Sequence, residues 1–523
     1  MTTPTTAPCL APNECDYLVI GGGATAMAFC DSLLKGCQLE NPTSLPSVVI
    51  LDPHEQPGGQ WIDSYDFVQL HQPSAMYGVE SLALEPNGDK QHRATRQEIL
   101  DYYKKVMTQW EPHLTFLGHS KFVDWEALSS SNECSAAGTY RYQRVPRNED
   151  SGVAEEVHTI TVHRKVVDAR FLQPDLPIDT PPKFRYDPTH IQCVPVNALA
   201  TLKDTSHKFF VVIGGGKTGM DAVTFLLLRQ KIPPDNILWI MPHDAWITAR
   251  ENIGNCMEFL HTALNLARKQ TDGEDLAQYV QASPDCLQQA FLQWEQQGKV
   301  YRLDTSILPS KFKDATLSLE ELTLLRKVKH VIRGQGRVTQ IDDAGGLHFE
   351  NGTTLSLPWC KHNASQINDT LFVHCSAGAF NYTKQPPGTT NPPTFTNRTI
   401  YIQDVYGTPG FCFVGSIIGK LESISRLTNE QKNDLCLAPG ATAAPPPALG
   451  PSGGDIGVLS PSHGWVQRLA NVRQWLKVAD LRDWLVGHRL FNLGHYASAG
   501  DIDTMVDETW SIAVQSNLTK ESS

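Results

Sequence analysis

Two stretches, CDYLVIGGGATAMAF (residues 15–29) and VVILDPHEQPGGQW (residues 48–61), decide the fold. The first opens on an apolar run, Tyr17 to Ile20, of the kind that forms a buried strand, and breaks into Gly21, Gly22 and Gly23 before a helix-compatible segment. The second is another apolar run, Val48 to Leu51, that ends in Asp52. Strand, glycine corner, helix and a second strand closed by an acid form the βαβ unit that holds a dinucleotide.

Each position has a physical job. Gly21 permits the tight turn, and Gly23 lets the backbone approach a pyrophosphate with no Cβ in the way. Ala26 fills the third small position, where helix and strand pack closely. The helix start presents unpaired N–H groups to phosphate oxygens. Asp52 is placed to accept from a ribose 2′-OH. The gap from Ala26 to Asp52 is long, and the excess is assigned to a polar insertion at Gln38–Pro46.

A second corner lies in FFVVIGGGKTGMDAVTFLLL, residues 209–228, where Gly214, Gly216 and Gly219 match G-x-G-x-x-G in full. The spacing predicts a strand over Phe209–Ile213, a helix to Arg229 and a strand over Ile237–Met241. No acid closes that last strand; Pro242, His243 and Asp244 follow, then Arg250. Without an acid for a free 2′-OH, and with His243 and Arg250 near, the pattern favours NADPH over NADH. Lys217, just inside the loop, is either a second phosphate contact or a solvated surface lysine.

The fold class expected is therefore α/β, with two Rossmann-like dinucleotide-binding domains and a helical C-terminal extension. The divisions are a disordered lead-in over 1–15, a first FAD-binding part over 16–204 and an NAD(P)H-binding domain over 205–365. A second FAD-binding part over 366–437, a Pro/Gly/Ala-rich linker over 438–462 and a helical extension over 463–523 complete them. Residues 114–170 read as an antiparallel excursion with hairpin loops at Ser129–Ala137 and Arg147–Glu156. Residues 251–330 read as mostly helical, and LFVHCSAGAF (371–380) as a strand that returns the chain to the first domain. IYIQDVYGTPGFCFVGSIIGKLES (400–423) supplies a further strand and a turn into a helix. Trp465, Trp475 and Trp484 form an aromatic stripe that packs on the body.

Composition narrows the class. The 523 residues are 41% hydrophobic and 19% charged, enough core for more than one domain. A net charge of −12 and the lack of a basic cluster argue against nucleic acid as partner. Twelve cysteines with no C-x-x-C pair signal neither a zinc site nor a dithiol centre, so no metal is expected. The N-terminal stretch lacks the basic and apolar regions of a secretory signal, and no apolar run reaches the ~18 residues of a membrane span. A cytoplasmic protein is expected.

Two nucleotides facing across a cleft pair FAD with a nicotinamide, which passes hydride to the flavin. GGGATAMAF, Asp52, the GGQW turn and GGGKTGMDA together resemble the flavin-containing monooxygenase superfamily. DSYDFVQLHQPSAMYGVES (63–81) is similar to a branch of FAD- and NAD(P)-dependent oxidoreductases of bacteria and fungi. The likeness is good over 16–110 and 205–255 and moderate over 365–425.

The resemblance implies FAD held by Gly21, Gly23, Ala26 and Asp52, with Gly59, Gln60 and Trp61 along it. NADPH is implied at Gly214, Gly216, Lys217, Thr218 and Gly219. Ala24, Val123, Gly378 and Gly415 complete the expected cofactor-binding set, with His243 and Arg250 at the coenzyme. In that superfamily the reduced flavin takes O₂ to a C4a-hydroperoxide that oxygenates a small organic substrate. The implied catalytic positions are Gln72, as a donor to the peroxyflavin or to the nicotinamide amide, and His71, as acid or base. An FxGxxxHxxxW signature is missing: in FRYDPTHIQCVPVNAL only Phe184 and His190 are reminiscent of it. Lactone formation is therefore not implied, and a role in secondary metabolism with N- or C-hydroxylation fits. Two alternatives stay open, a flavin oxidoreductase without oxygen insertion and a non-catalytic redox sensor.

Overall fold

The computed structural model describes residues 12–89, 91–126, 137–145, 156–170, 176–202, 207–253, 256–270, 285–361, 363–376, 392–406, 411–438, 465–491 and 499–515. In the first unit β1 (Glu14–Ile20) leads through the glycine corner into α1 (Ala24–Glu40), β2 (Val48–Leu51), the short α2 (Gln60–Asp63) and α3 (Arg96–Gln109). β3 (Leu114–Leu117), β4 (Ser120–Phe122), β5 (Gly138–Arg144) and the long β6 (Val157–Asp168) follow. Every residue of β2 is buried, as a strand covered on both faces requires. α3 starts where Thr95 and Glu98 form a reciprocal capping box.

These strands make one sheet in the order β3-β2-β1-β6-β5-β4, with β18 (Thr399–Tyr401) also on β6. β3, β2, β1, β6 and β18 pair in parallel, and β5 is reversed, pairing antiparallel with both β6 and β4. Only β4, β5 and the start of β6 are thus the expected antiparallel excursion. β3 continues the parallel sheet, and β6 serves both parts because twelve residues reach from the hairpin to β1. Its expected loops fall almost wholly outside the described residues. The insertion placed at Gln38–Pro46 begins later than expected: α1 runs through Glu40 on its exposed end. Glu14 and Cys15, expected in the lead-in, belong to β1; residues 1–11 lie outside the description.

The second sheet is wholly parallel, β13-β9-β8-β17-β7. It contains β7 (Cys193–Pro195), β8 (Phe209–Ile213), β9 (Ile237–Met241), β13 (His330–Arg333) and β17 (Thr370–His374). α4 (Lys217–Leu228) follows the β8 corner. β7 and β17, read from sequence with the first domain, therefore sit in the second sheet. Among the described residues the chain returns to the first sheet at β18.

Between β9 and β13 the expected helices α5 (Cys256–Gln270), α6 (Asp285–Gln296) and α7 (Leu319–Leu325) are present. They share the segment with β10 (Ala245–Ala249), β11 (Val300–Tyr301) and β12 (Lys311–Leu317), which form their own sheet, β11-β10-β12. The three strands are short, and their pairing spans tens of residues, so local periodicity does not show them. β14 (Val338–Ile341), β15 (Leu347–Phe349) and β16 (Thr354–Leu355) form the expected antiparallel meander.

α8 (Phe411–Ser423) packs against α1 through small residues. A Cβ on Gly415 would meet the Thr25 carbonyl at 2.3 Å, and one on Gly419 the Phe29 carbonyl at 2.4 Å. α9 (Asn429–Asp434), α10 (Trp465–Lys477), α11 (Ala479–Gly487) and α12 (Ala499–Gln515) close the described chain. Trp475 is fully buried with its N–H on the Leu435 carbonyl, and Trp484 stacks on Phe413, as the packing reading expects. The Trp465 side chain and the linker over 439–462 lie outside the description. Among the described residues no helix is long and apolar enough to cross a membrane.

Candidate functional site

At the first corner Gly21 adopts φ +99° and its N–H donates to the Leu51 carbonyl at 2.9 Å. The Asp52 carboxylate folds back onto the corner, accepting from Gly22 N–H at 2.5 Å and from His54 N–H at 2.9 Å. Gly23 caps α1 without a side-chain partner, and the first turn holds no acid, so its N–H groups remain suited to a phosphate. Ala24 is half-buried on that first turn and Ala26 is sealed behind it.

The GGQW turn lies directly on this corner. Gly58 N–H donates to the Gly22 carbonyl at 2.9 Å, and Gly59, at φ +53°, backs onto Gly23. Gln60 is half-buried beside it. Trp61 turns inward: its indole N–H donates to the Tyr77 hydroxyl at 2.7 Å, and Tyr103 donates to the same oxygen at 2.8 Å. Trp61 thus anchors the turn to the core, where it was expected to lie along the cofactor.

His54 was not anticipated. Its Nδ1 stands 2.6 Å from Asp52 and its Nε2 2.8 Å from Asp63, and these two bonds hold the imidazole protonated, raising its pKa to about 10. Arg170 is a second addition. It covers Gly21, with its guanidinium 3.5 Å from the Trp125 ring centroid and an ion pair to Asp168 at 2.9 Å. Val123, half-buried just before Trp125, donates its N–H to the Arg141 carbonyl at 3.3 Å.

The second corner repeats the first. Gly214 has φ +141°, donates to the Ile240 carbonyl at 3.0 Å and accepts from the Trp239 indole at 2.9 Å. A Cβ on Gly219 would stand 2.0 Å from the Gly214 carbonyl, so only glycine lets helix and turn meet there. Gly216 caps α4 with no side-chain partner, and the space over its Cα is open. Lys217 pairs with Asp221, which also accepts from the Tyr65 hydroxyl at 2.9 Å. Thr218 is half-buried beside it.

Tyr65 belongs to the segment that runs from the first corner to the second. Phe67 from the same segment stacks on Phe225 of α4 at 4.1 Å, and Asn197 donates to the Asp63 carbonyl at 3.0 Å. The segment continues to His71 and Gln72. His71 Nδ1 and Gln72 Oε1 are both sealed from solvent without a hydrogen-bond partner, an arrangement that costs free energy unless a ligand satisfies it. Burial, with Lys217 and Arg250 adding to it, pushes the His71 pKa down to about 3. A neutral imidazole results, suited to giving or taking a hydrogen bond rather than to donating a proton as an imidazolium.

Arg250 was expected at the coenzyme phosphate. It is buried instead: Nε donates to the His71 carbonyl at 2.7 Å, and Nη2 donates to Glu321 and to the Thr316 carbonyl. The basic group at the end of β9 is Arg333, which lies in register with Met241 and binds Asp244 at 3.1 Å. His243 is half-buried at the same strand end. A cavity of about 390 Å³ opens beside Arg333, lined also by Asp304, Arg326 and Lys329. Gly415 packs on α1, so a structural contact takes the place of the expected cofactor contact; Gly378 lies outside the described residues. Asp187, His190 and Asp343 form a separate surface cluster paired within itself.

Comparison with known proteins adds a family. The chain is 32% identical over 486 residues to uncharacterized protein Rv2000 of Mycobacterium tuberculosis (strain ATCC 25618 / H37Rv), covering 91% of this chain and 77% of that one. The match to uncharacterized protein Mb2023 of Mycobacterium bovis has the same identity and coverage. The chain belongs to their family.

No protein-family model matches it. Among solved structures the chain is similar to the polycyclic ketone monooxygenase of Thermothelomyces thermophila, at 13% identity and TM-score 0.48, covering 80% of this chain and 76% of that one. It is also similar to cyclohexanone monooxygenase of Rhodococcus sp. Phi1 bound to NADP+, at 12% identity and TM-score 0.43, covering 97% and 98%. The flavin-containing monooxygenase of Stenotrophomonas maltophilia is similar at 14% identity and TM-score 0.41, covering 79% and 97%. At such values the likeness carries nothing about activity in this family, which has to be read from the two corners themselves.

Proposed function

We propose that the chain is an FAD-dependent, NAD(P)H-consuming monooxygenase acting on a small organic molecule. The observation that carries this reading is the pair of uncapped glycine corners joined by one segment whose His71 and Gln72 present unpartnered buried atoms. The residues fit the groups. Gly21, Gly23 and Ala24 hold the FAD pyrophosphate over α1, and Asp52, steadied by His54, takes the ribose. Gly214, Gly216, Lys217 and Thr218 hold the coenzyme pyrophosphate, and Gly219 closes the turn beneath it. When bound, the flavin accepts a hydride from the nicotinamide and passes its electrons to O₂.

His71 and Gln72 offer hydrogen bonds at the junction: the unpartnered Gln72 Oε1 accepts, as an N–H donor such as the nicotinamide amide requires, and the neutral His71 Nδ1 gives or takes one according to its tautomer. A role in secondary metabolism fits an enzyme of this kind, as does residence in the cytoplasm. Stopped-flow spectroscopy tests the reading. Anaerobic NADPH should bleach the yellow protein, and O₂ should then give a transient absorbance distinct from both flavin end states. Bleaching followed by direct return to the oxidised spectrum, with a second substrate reduced stoichiometrically, identifies an oxidoreductase without oxygen insertion. A yellow protein never bleached by NADPH or NADH identifies a sensor.

A further inference from the structure

The geometry points to Glu321 as a positioning residue for hydride transfer, acting through two arginines on the segment that carries His71 and Gln72. The role presupposes the flavin and nicotinamide proposed above. In the reaction it serves, one hydride leaves the coenzyme, which is oxidised, and the flavin is reduced by the same two electrons.

Glu321 lies on α7, in the second unit, and its backbone and side chain complete a capping box with Ser318. Its two carboxylate oxygens face different arginines. Oε1 accepts from Arg93 Nη1 at 2.9 Å, and Oε2 from Arg250 Nη2. Each arginine turns its Nε onto a backbone carbonyl of the connecting segment. Arg93 donates to Leu70 at 2.8 Å and Arg250 to His71 at 2.7 Å. One carboxylate thus sets two planar forks that grip consecutive carbonyls, immediately before the unpartnered side chains of His71 and Gln72.

The arrangement is built to hold its charge. Burial acts to protonate Glu321, but Lys217, Arg93 and Arg250 outweigh it and bring the carboxyl down to about 2. Lys217 is the first residue of α4 at the coenzyme corner, so the clamp and the corner lie within one electrostatic neighbourhood. Arg250 is 6% exposed, and stripping its carboxylate partner would leave a buried cation held by backbone carbonyls alone. Each planar guanidinium bridges one carboxylate oxygen and one backbone carbonyl, which fixes direction as well as distance in a way that a lysine in either place would not. The two carbonyls belong to an irregular segment, and the two arginines reach it from different parts of the chain.

Misplacing a reacting group by about 1 Å costs on the order of a hundredfold in rate. Glu321→Gln keeps the shape and removes the charge. The holoprotein is mixed anaerobically with NADPH over a range of concentrations. The expected result is unchanged FAD content and coenzyme Kd, with the saturating reduction rate about ten- to a hundredfold lower. Arg93→Gln, which frees the Leu70 carbonyl and Glu321 Oε1 and leaves Arg250 on His71, should lower the same rate, and the double variant should fall little further because both act through one clamp. Wild-type speed in Glu321→Gln, a change confined to coenzyme Kd, or losses that simply add would each overturn the role while leaving the flavin–nicotinamide reading intact. A wild-type protein that is never bleached removes that reading and this role together.

Discussion

Gly59 and Gly23 stand back to back: a Cβ on Gly59 would lie 2.8 Å from the Gly23 Cα. The two belong to different turns, one before α2 and one before α1, and the Gly58–Gly22 hydrogen bond locks them together. The GGQW turn is therefore part of the first corner, and a side chain in it pushes on the backbone proposed to meet the pyrophosphate.

Gly59→Ala should consequently cost on the order of 2–4 kcal/mol, combining a left-handed backbone at φ +53° with a backbone clash. Gly352→Ala is the matched control. Gly352 has φ +83° but nothing within 4 Å of its Cβ position, so about 1 kcal/mol of backbone cost is all it should show. Thermal melts and the flavin retained through gel filtration measure both. Equal midpoints in the two variants would mean that the contact between the turns is slack.

His54 predicts a pH dependence. Its folded pKa, about 10, lies above the ordinary value of 6.5, so its pairing with Asp52 and Asp63 stabilises the fold fully below about pH 6.5. That contribution is lost as the pH rises through 10. His54→Gln should flatten the decline in thermal midpoint between those limits and weaken FAD binding. An unchanged alkaline limb in the variant counts against the doubly paired imidazole.

What could be read from the chain alone follows from range. Tyr17–Ile20, Val48–Leu51 and Phe209–Ile213 are buried strands because both faces are covered, and their unbroken apolar runs say so locally. The corners are equally local, since turn and glycine are neighbours in sequence. Strand order is not: β17 joins β8 across some 160 residues, and nothing in LFVHC distinguishes that sheet from the first. Gly415 shows the same limit, because a helical glycine looks alike whether a ligand or the carbonyl of Thr25 fills its missing side chain. Arg250 is a basic residue after a nucleotide strand, and only the fold reveals that His71 and Glu321 already claim it.

A buried ionic group ties the first sheet to the C-terminal helices. Glu422 on α8 accepts from Lys165 of β6 at 3.1 Å, from Lys432 of α9 at 2.9 Å and from the Tyr17 hydroxyl at 3.1 Å. All three charged residues are under 9% exposed. Glu422→Leu leaves two ammonium groups buried without a carboxylate and should destabilise by about 3–5 kcal/mol. A chemical melt that follows the first unit reports it, and a loss below about 1 kcal/mol would place the lysines in solvent.

In the proposed function, coenzyme choice is assigned to Arg333. It ends β13 beside the carboxyl end of β9, where the ribose of a bound dinucleotide is expected, and it holds Asp244 at 3.1 Å and faces Asp304 at 3.7 Å. Asp244 is the residue that would otherwise serve a free 2′-OH and so favour NADH. Tied to Arg333, it leaves a guanidinium to meet a 2′-phosphate, with His243 alongside. A charge-assisted hydrogen bond of about 1.5–3 kcal/mol corresponds to roughly ten- to a hundredfold in affinity. Arg333→Ser should therefore raise the KM for NADPH by that factor, hardly change the KM for NADH and leave the saturating reduction rate alone. Equal losses with both coenzymes would assign Arg333 to the architecture of the β9 end, and a lower KM for NADH alone would show that freed Asp244 has captured the 2′-OH.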